Sequence, residues 1–221
     1  MQEEIKSIKI ITPDDWHLHL RESPIIESIF PYSFTNFGKA IIMPNLENPI
    51  IKFSQAMKYY KKIKSLITPE YKFEPLMTLF LSEETRVIDL YEGVKSGILK
   101  AIKFYPEGVT TNSYMGIKDI SKMYNLLEKL PDLNIPLLIH GETANSKVDI
   151  YDREAYFLEE TVYELRNAIP ELKIILEHIT TKESVDFILE NNTNTAATIT
   201  AHHLILNRNN LFDGGIRPHY F

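Results

Sequence analysis

Short apolar runs set apart by longer stretches of helical period constrain the fold of this chain more than any other feature. The strand candidates are Ile8 to Leu20, Ala40 to Pro44, Phe73 to Leu81, Ala101 to Tyr105, Pro136 to His140, Lys173 to His178 and Ala196 to Thr200. Helical patterns lie between them, over Ser54 to Leu66, Arg86 to Ser96, Ile117 to Leu130, Arg153 to Ala168 and Lys182 to Asn191. Runs such as PLLIH and KIILEH are apolar at consecutive positions, as expected when helices cover both faces of a parallel sheet. Thr180 and Glu183 have the spacing of a capping box, which supports a helix directly after the sixth strand. The pattern is βα, repeated, and it points to a parallel α/β fold.

An open doubly wound sheet and a closed (β/α)8 barrel both satisfy that pattern. No Gly-x-Gly-x-x-Gly turn follows a strand, which argues against a dinucleotide-binding open sheet. His140 and His178 close their strands and Lys103 stands near the end of another, so polar groups from several strands would meet at one rim. In barrels the carboxyl-terminal rim is where active sites are built. The expectation is a (β/α)8 TIM barrel with about seven βα units present, forming a single domain over residues 1–221 without a linker or low-complexity segment.

Composition narrows the chemistry. With a formal charge of -6 and no dense Lys/Arg run, a nucleic-acid groove is not expected. The absence of cysteine excludes disulfides, thiolate metal sites and cysteine nucleophiles together. Any metal must therefore use histidine, carboxylate or a modified side chain. The start, MQEEIKSIKI, lacks the apolar core of a signal peptide, and no run reaches the ~18 apolar residues of a membrane span, so a cytoplasmic chain is expected.

The stretch DDWHLHLR places His17 and His19 one residue apart, so in a strand both project from one face. A pair of hydrogen-bonded histidines is the plain alternative to a metal site. His140 in LLIHGE and His178 in ILEHIT make four imidazoles at comparable strand ends, which favours the metal. Lys103, in KAIKFYP, either snorkels to solvent or faces the interior, where desolvation lowers its pKa and leaves a reactive amine. His202, His203 and His219 lie near the rim without being needed as ligands. Glu142 and Glu177 adjoin the ligand strands and could orient a histidine, although a solvated or structural role is equally compatible with their positions.

Taken in order, DDWHLHLR, IIMPN, PLMT, KFYPEGVTTNS, PLLIHGE, DREA, EHITTK, ATIT with HHL and NRN, and GGIRPH closely resemble the bacterial dihydroorotases of the amidohydrolase superfamily, in the short single-enzyme form. The resemblance runs from about Ile10 to Phe221. It implies a (β/α)8 barrel with two zinc ions that reversibly interconverts N-carbamoyl-L-aspartate and L-dihydroorotate in pyrimidine synthesis. By motif, His17 and His19 would hold the more buried zinc, His140 and His178 the other, and Lys103 would be carboxylated by CO2 and bridge the two. A carbamate makes a long carboxylate of lysine, and two cations sharing it lie about 3.5–4 Å apart, which suits a bridging hydroxide as nucleophile. The resemblance assigns Arg21 and Asn45 to the substrate carboxylate, against the plainer readings of a surface salt bridge and a turn residue. It makes PEGVTTNS a loop that closes over substrate through Thr110 and Thr111. Homodimerisation is implied by the family alone.

The pattern breaks at the end. The family's eighth strand carries an aspartate that binds the buried zinc and acts as general base, and no such segment occurs before Phe221. Seven strands without an eighth leave two unpaired edges, so a natural chain extending past Phe221 and low activity of the 221 residues alone are expected. A hydantoinase- or allantoinase-type cyclic amidase and a catalytically dead barrel acting in assembly are the competing readings. Arg21, Asn45 and the Thr-Thr loop weigh against the first, and the retained histidines and lysine against the second.

Overall fold

The computed structural model describes residues 7–217. Between Lys103 and Phe104 the chain divides into two compact units. The expected position of His219 lies outside the described residues.

The first unit runs β1 (Asp15–Leu18), α1 (Ile25–Phe34), β2 (Lys39–Ile42), α2 (Phe53–Leu66), β3 (Glu74–Phe80), α3 (Val87–Lys95) and β4 (Leu99–Phe104), whose last residue crosses the boundary. Its strands pair in parallel with their sequence neighbours. In β2 and β3 the register sets Ala40 beside Pro75 and Ile42 beside Met77. Every β3 residue after Glu74 is buried, the near-continuous apolar run of a strand covered on both faces. Its one hydroxyl, on Thr78, donates to the Ile42 carbonyl at 2.6 Å and so enters the core satisfied. Met77 pairs with Leu99 and Thr78 with Ala101, which leaves Lys100 as an extra residue on β4.

Around these strands, α2 buries Ala56, Tyr59 and Ile63, one stripe at helical spacing. At its start the Gln55 side chain accepts from the Ile51 and Lys52 N–H groups, two donors that a helix end leaves without partners. Asp89 of α3, itself buried, accepts from the Phe53 N–H at 3.0 Å and the Arg86 guanidinium at 2.9 Å, which fastens α2 to α3.

The second unit contains the 3-10 turn Ile120–Met123, α4 (Tyr124–Leu127), α5 (Leu130–Leu133), β5 (Leu137–His140) and α6 (Arg153–Phe157). It continues with the π-helical turn Leu158–Val162, α7 (Tyr163–Ala168), β6 (Ile174–Glu177), α8 (Lys182–Glu190), β7 (Thr195–Ala197), α9 (Ala201–Ile205) and the 3-10 turn Arg208–Leu211. β5 pairs in parallel with β6 and β6 with β7. At the amino ends of β6 and β7 the half-buried Arg166 donates to the carbonyls of Pro170, Leu172 and Asn194 and to the Thr195 hydroxyl. Burial lowers the pKa of that guanidinium.

Several elements differ from expectation for definable reasons. The run expected as a strand from Ile8 pairs only over Asp15–Leu18, and Ile8, Ile10 and Ile11 are exposed. Helix α1 carries the periodic core residues Ile26, Phe30 and Phe34 but also Pro31, the residue that usually ends a helix. Phe30 packs edge-on against Phe34 and Phe73 with ring centroids 5.1 and 5.3 Å away, and this packing outweighs the missing N–H. The helix expected over 117–130 breaks into short turns, because Pro131 cannot continue the ladder from Leu127. Thr181, not Thr180, caps α8, its hydroxyl oxygen accepting from the Ser184 N–H while both threonine hydroxyls donate to the Glu154 carboxylate.

Gly93 sets a test of packing in the first unit. A Cβ at this position would lie 2.8 Å from the Leu99 Cβ, a backbone-fixed atom. Alanine gains about 0.5–1 kcal/mol over glycine inside a helix, whereas overpacking costs about 1–3 kcal/mol. Gly93→Ala is therefore expected to lower stability by about 1 kcal/mol in urea unfolding, and a raised midpoint would show that β4 yields instead.

Candidate functional site

Strand ends supply the site residues of each unit. In the first unit, His17 lies in β1 and His19 one residue beyond it, both half-buried, with Leu20 fully buried behind them. Their Nε2 atoms are 3.0 Å apart and their ring centroids 5.0 Å. Two imidazoles can share one N–H at that distance, or both can turn lone pairs to one cation. Bonds of about 2.0–2.1 Å to zinc put two nitrogens about 2.9 Å apart at a right angle and about 3.4 Å apart at the tetrahedral angle. The observed separation falls inside that interval, so the pair fits a zinc ion. The Asp15 carboxylate accepts from the His17 backbone N–H at 2.9 Å and fixes the turn of the strand there.

Arg21 follows with a left-handed backbone, φ 61°, a strained conformation for an arginine. Two contacts hold it. The Tyr59 hydroxyl donates to the Arg21 carbonyl at 2.7 Å, and the Arg21 guanidinium donates to the Asn45 carbonyl at 3.1 Å. Burial, with Glu22 adding to it, pushes the Tyr59 phenol above its ordinary range, so it stays protonated and donating. The Arg21 guanidinium is thus brought to the main chain of the buried Asn45. Tyr59 has no signature in the sequence beyond its place on the apolar face of α2.

Lys103 is fully buried near the carboxyl end of β4, beside Phe80, and its carbonyl accepts from the Leu81 N–H at 2.8 Å.

In the second unit His140 ends β5, in register with the buried Glu177 at the end of β6. His178 is the next residue, and its ring centroid lies 4.7 Å from that of His140, edge to face. The His178 backbone is left-handed, φ 46°, so β6 stops before it and its ring leaves the strand direction. The ring of buried Tyr105 lies 6.0 Å from His140. On the far side of His140, Nε2 is 3.1 Å from the Glu142 carboxylate, and Arg153 holds the other carboxylate oxygen at 3.3 Å. A hydrogen bond donated from Nε2 leaves Nδ1 as the lone-pair nitrogen, the state in which histidine binds a metal. Sequence reasoning weighed Glu142 but missed Arg153, whose only mark is its place in the DREA segment.

Thr110 and Thr111 lie in the loop that follows β4. Buried Ser113 ties the loop together, its hydroxyl donating to the Thr110 carbonyl at 2.6 Å and accepting from the Thr110 N–H. Gly116 closes the loop base, where a Cβ would sit 2.4 Å from the Tyr105 carbonyl. His202 and His203 occupy α9, with His202 Nε2 3.1 Å from the Thr200 hydroxyl.

No family model matches the chain. Among curated proteins, it is 46% identical to a dihydroorotase of Chelativorans sp. over 98% of its own length, and 49% identical to one of Buchnera aphidicola over 100%. The chain spans about 63% of the length of each of these relatives. Among solved structures, dihydroorotase from Campylobacter jejuni superimposes with a TM-score of 0.85 at 40% identity, covering 94% of this chain and 60% of that one. An L-hydantoinase from Arthrobacter aurescens superimposes with a TM-score of 0.73 at 9% identity over 91% of this chain and 49% of its own, a likeness of fold alone. The fold class is accordingly α/β, the (β/α)8 barrel of the amidohydrolase type, with seven parallel strands among the described residues.

The Glu142 contacts predict a pH dependence. Burial by itself would raise its carboxyl pKa, but hydrogen bonding and charge from His140 and Arg153 outweigh it and set it below the ordinary 4.5. A depressed carboxylate adds stability above its unfolded-state pKa and loses it as pH falls through the folded value. The stability lost in Glu142→Gln should therefore shrink as the pH falls below about 5 in urea unfolding, and a loss that persists undiminished in acid would contradict the pairing.

Proposed function

We propose that this chain, whose relatives over nearly its whole length are dihydroorotases, serves the zinc-dependent, reversible cyclisation of N-carbamoyl-L-aspartate to L-dihydroorotate. The observation that carries the reading is the convergence of the His17 and His19 Nε2 atoms at 3.0 Å, a separation suited to two ligands of one zinc ion. His140 and His178 fit a second zinc ion, because the hydrogen bond to Glu142 turns the His140 lone pair away from the carboxylate. Lys103 fits the carbamate role by its place, fully buried near the carboxyl end of β4. That both units belong to one barrel domain is supported by a single solved chain that covers 94% of the sequence.

When bound, the metal ions supply a nucleophile at neutral pH and polarise the carbonyl that is attacked. The protein's own groups do the rest. Arg21 offers a planar guanidinium, pre-set by its contact with Asn45, to the substrate carboxylate, which favours an acidic ring over a neutral one. Thr110 and Thr111 place hydroxyls on the loop after β4, where they reach the ligand and exclude water when the loop covers it. A soluble acidic metabolite is the partner this site suits, and no helix among the described residues is long and apolar enough to cross a membrane. A cytoplasmic homodimer is the setting that the family resemblance implies.

Metal uptake and lysine modification test this reading. Supplied with 13C-labelled bicarbonate and zinc, the chain should show a carbamate carbon resonance that Lys103→Ala abolishes together with part of the bound zinc. Retention of both in Lys103→Ala would overturn the assignment. Where ring opening is measurable, dihydroorotate should be preferred to hydantoin, and the reverse preference would move the substrate to the hydantoinase class.

A further inference from the structure

Two consecutive residues on the first turn of α6 reach the surroundings of both histidines of the second unit. Arg153 donates to the Glu142 carboxylate, whose other oxygen meets His140 Nε2. Its backbone carbonyl also accepts from the Thr143 N–H at 3.4 Å, so the arginine holds the segment after β5 by main chain and side chain together.

Glu154 faces the other histidine's segment. Its carboxylate accepts from the Thr180 and Thr181 N–H groups, each at 3.0 Å, and from their hydroxyls at 2.9 and 2.6 Å. These threonines begin two residues after His178, the half-buried histidine with φ 46°. Before the clamp, the His178 N–H donates to the Thr198 hydroxyl at 2.8 Å and the Ile179 N–H to the Thr198 carbonyl at 3.0 Å. A left-handed histidine costs of order 1–3 kcal/mol and persists only where its neighbours over-determine it. Here the chain is fastened at 178 and 179 to β7's exit and at 180 and 181 to α6.

We propose that Arg153 and Glu154 are positioning residues for metal binding, Arg153 by keeping Glu142 on His140 and Glu154 by locking the turn that presents His178. The proposal rests on His140 and His178 being metal ligands. One helix turn then presets two histidines from different strands, and any displacement of α6 is felt by both. Glu154 also anchors the start of α8, so a purely structural role must be separated from the positioning one. The separation lies in what the histidines do when the fold is intact.

The test is zinc affinity of the metal-stripped 221-residue chain, measured in competition with a chromogenic chelator. Arg153→Met and Glu154→Gln are expected to weaken zinc binding by about 10-fold or more. Arg153→Lys should recover part of the loss. Leu165→Ala, which removes a fully buried side chain of α7, should lower the unfolding temperature without changing the affinity. In the metal-free chain, long-range 1H–15N spectra should show His140 as the Nε2–H tautomer, and Arg153→Met should shift it towards a mixture. If Glu154→Gln does not fold, Thr180→Val removes one of its bonds while leaving the Thr181 cap of α8 in place, and the same loss of affinity is expected.

Unchanged zinc affinity in both positioning variants, with His140→Ala and His178→Ala still weakening it, would overturn the proposal and leave the dihydroorotase reading standing. Unchanged affinity in the histidine variants themselves would remove the ligands first, and the proposal with them. A loss of affinity in Leu165→Ala equal to that in Glu154→Gln would reduce Glu154 to a structural anchor.

Discussion

Parallel strand pairing is the constraint from which the rest of the molecule follows. Because neighbouring strands within a unit run the same way, their last residues arrive at the same edge, and polar side chains can gather there without entering the core. His140 and Glu177 are such register partners at the ends of β5 and β6. In the first unit, β1 and β2 deliver His17 and the approach to Asn45, and the Met43 N–H donates to the Leu18 carbonyl as the two strands part. Between these ends and the helices the strands are almost wholly apolar, with Thr78 the instructive exception because its hydroxyl is satisfied by Ile42.

Two of the candidate site residues are held in backbone conformations that ordinary strands and helices do not use. Arg21 and His178 both have positive φ, and each is tied by bonds from other elements: Tyr59 to Arg21, Thr198 to His178. A positive φ at these positions turns a side chain out of the alternating strand direction. The buried Tyr59 hydroxyl and the half-buried carboxylates of Glu142 and Glu154 therefore hold the segments that carry the candidate imidazoles and guanidinium.

The strand cores were readable from the sequence because continuous apolar runs need no knowledge of partners: β3 as Glu74–Phe80 and β5 as Leu137–His140 lie within a residue of expectation. Elements decided by competition were not. Pro31 hid α1, whose formation depends on Phe73 from a distant part of the chain, and Pro131 broke a helix whose periodicity looked continuous. Thr180 and Glu183 had the right spacing for a cap, but the helix starts one residue later, with Thr181 as its cap and both threonines bound to Glu154. The same logic divides the site. Histidines at strand ends announce themselves, whereas Arg153 and Glu154 look like two charges on an exposed helix until the segments they hold are seen.

Arg166 sets the two ends of the second unit apart. Its guanidinium is bound by carbonyl dipoles of Pro170, Leu172 and Asn194 and by a hydroxyl, groups that carry no proton to gain between neutral pH and strong acid. At the opposite ends of the strands, the contacts around His140 depend on a carboxylate. The two ends of this unit therefore answer acid differently: a proton can reach the carboxylate beside His140, whereas the contacts that fasten the amino ends of β6 and β7 have none to gain.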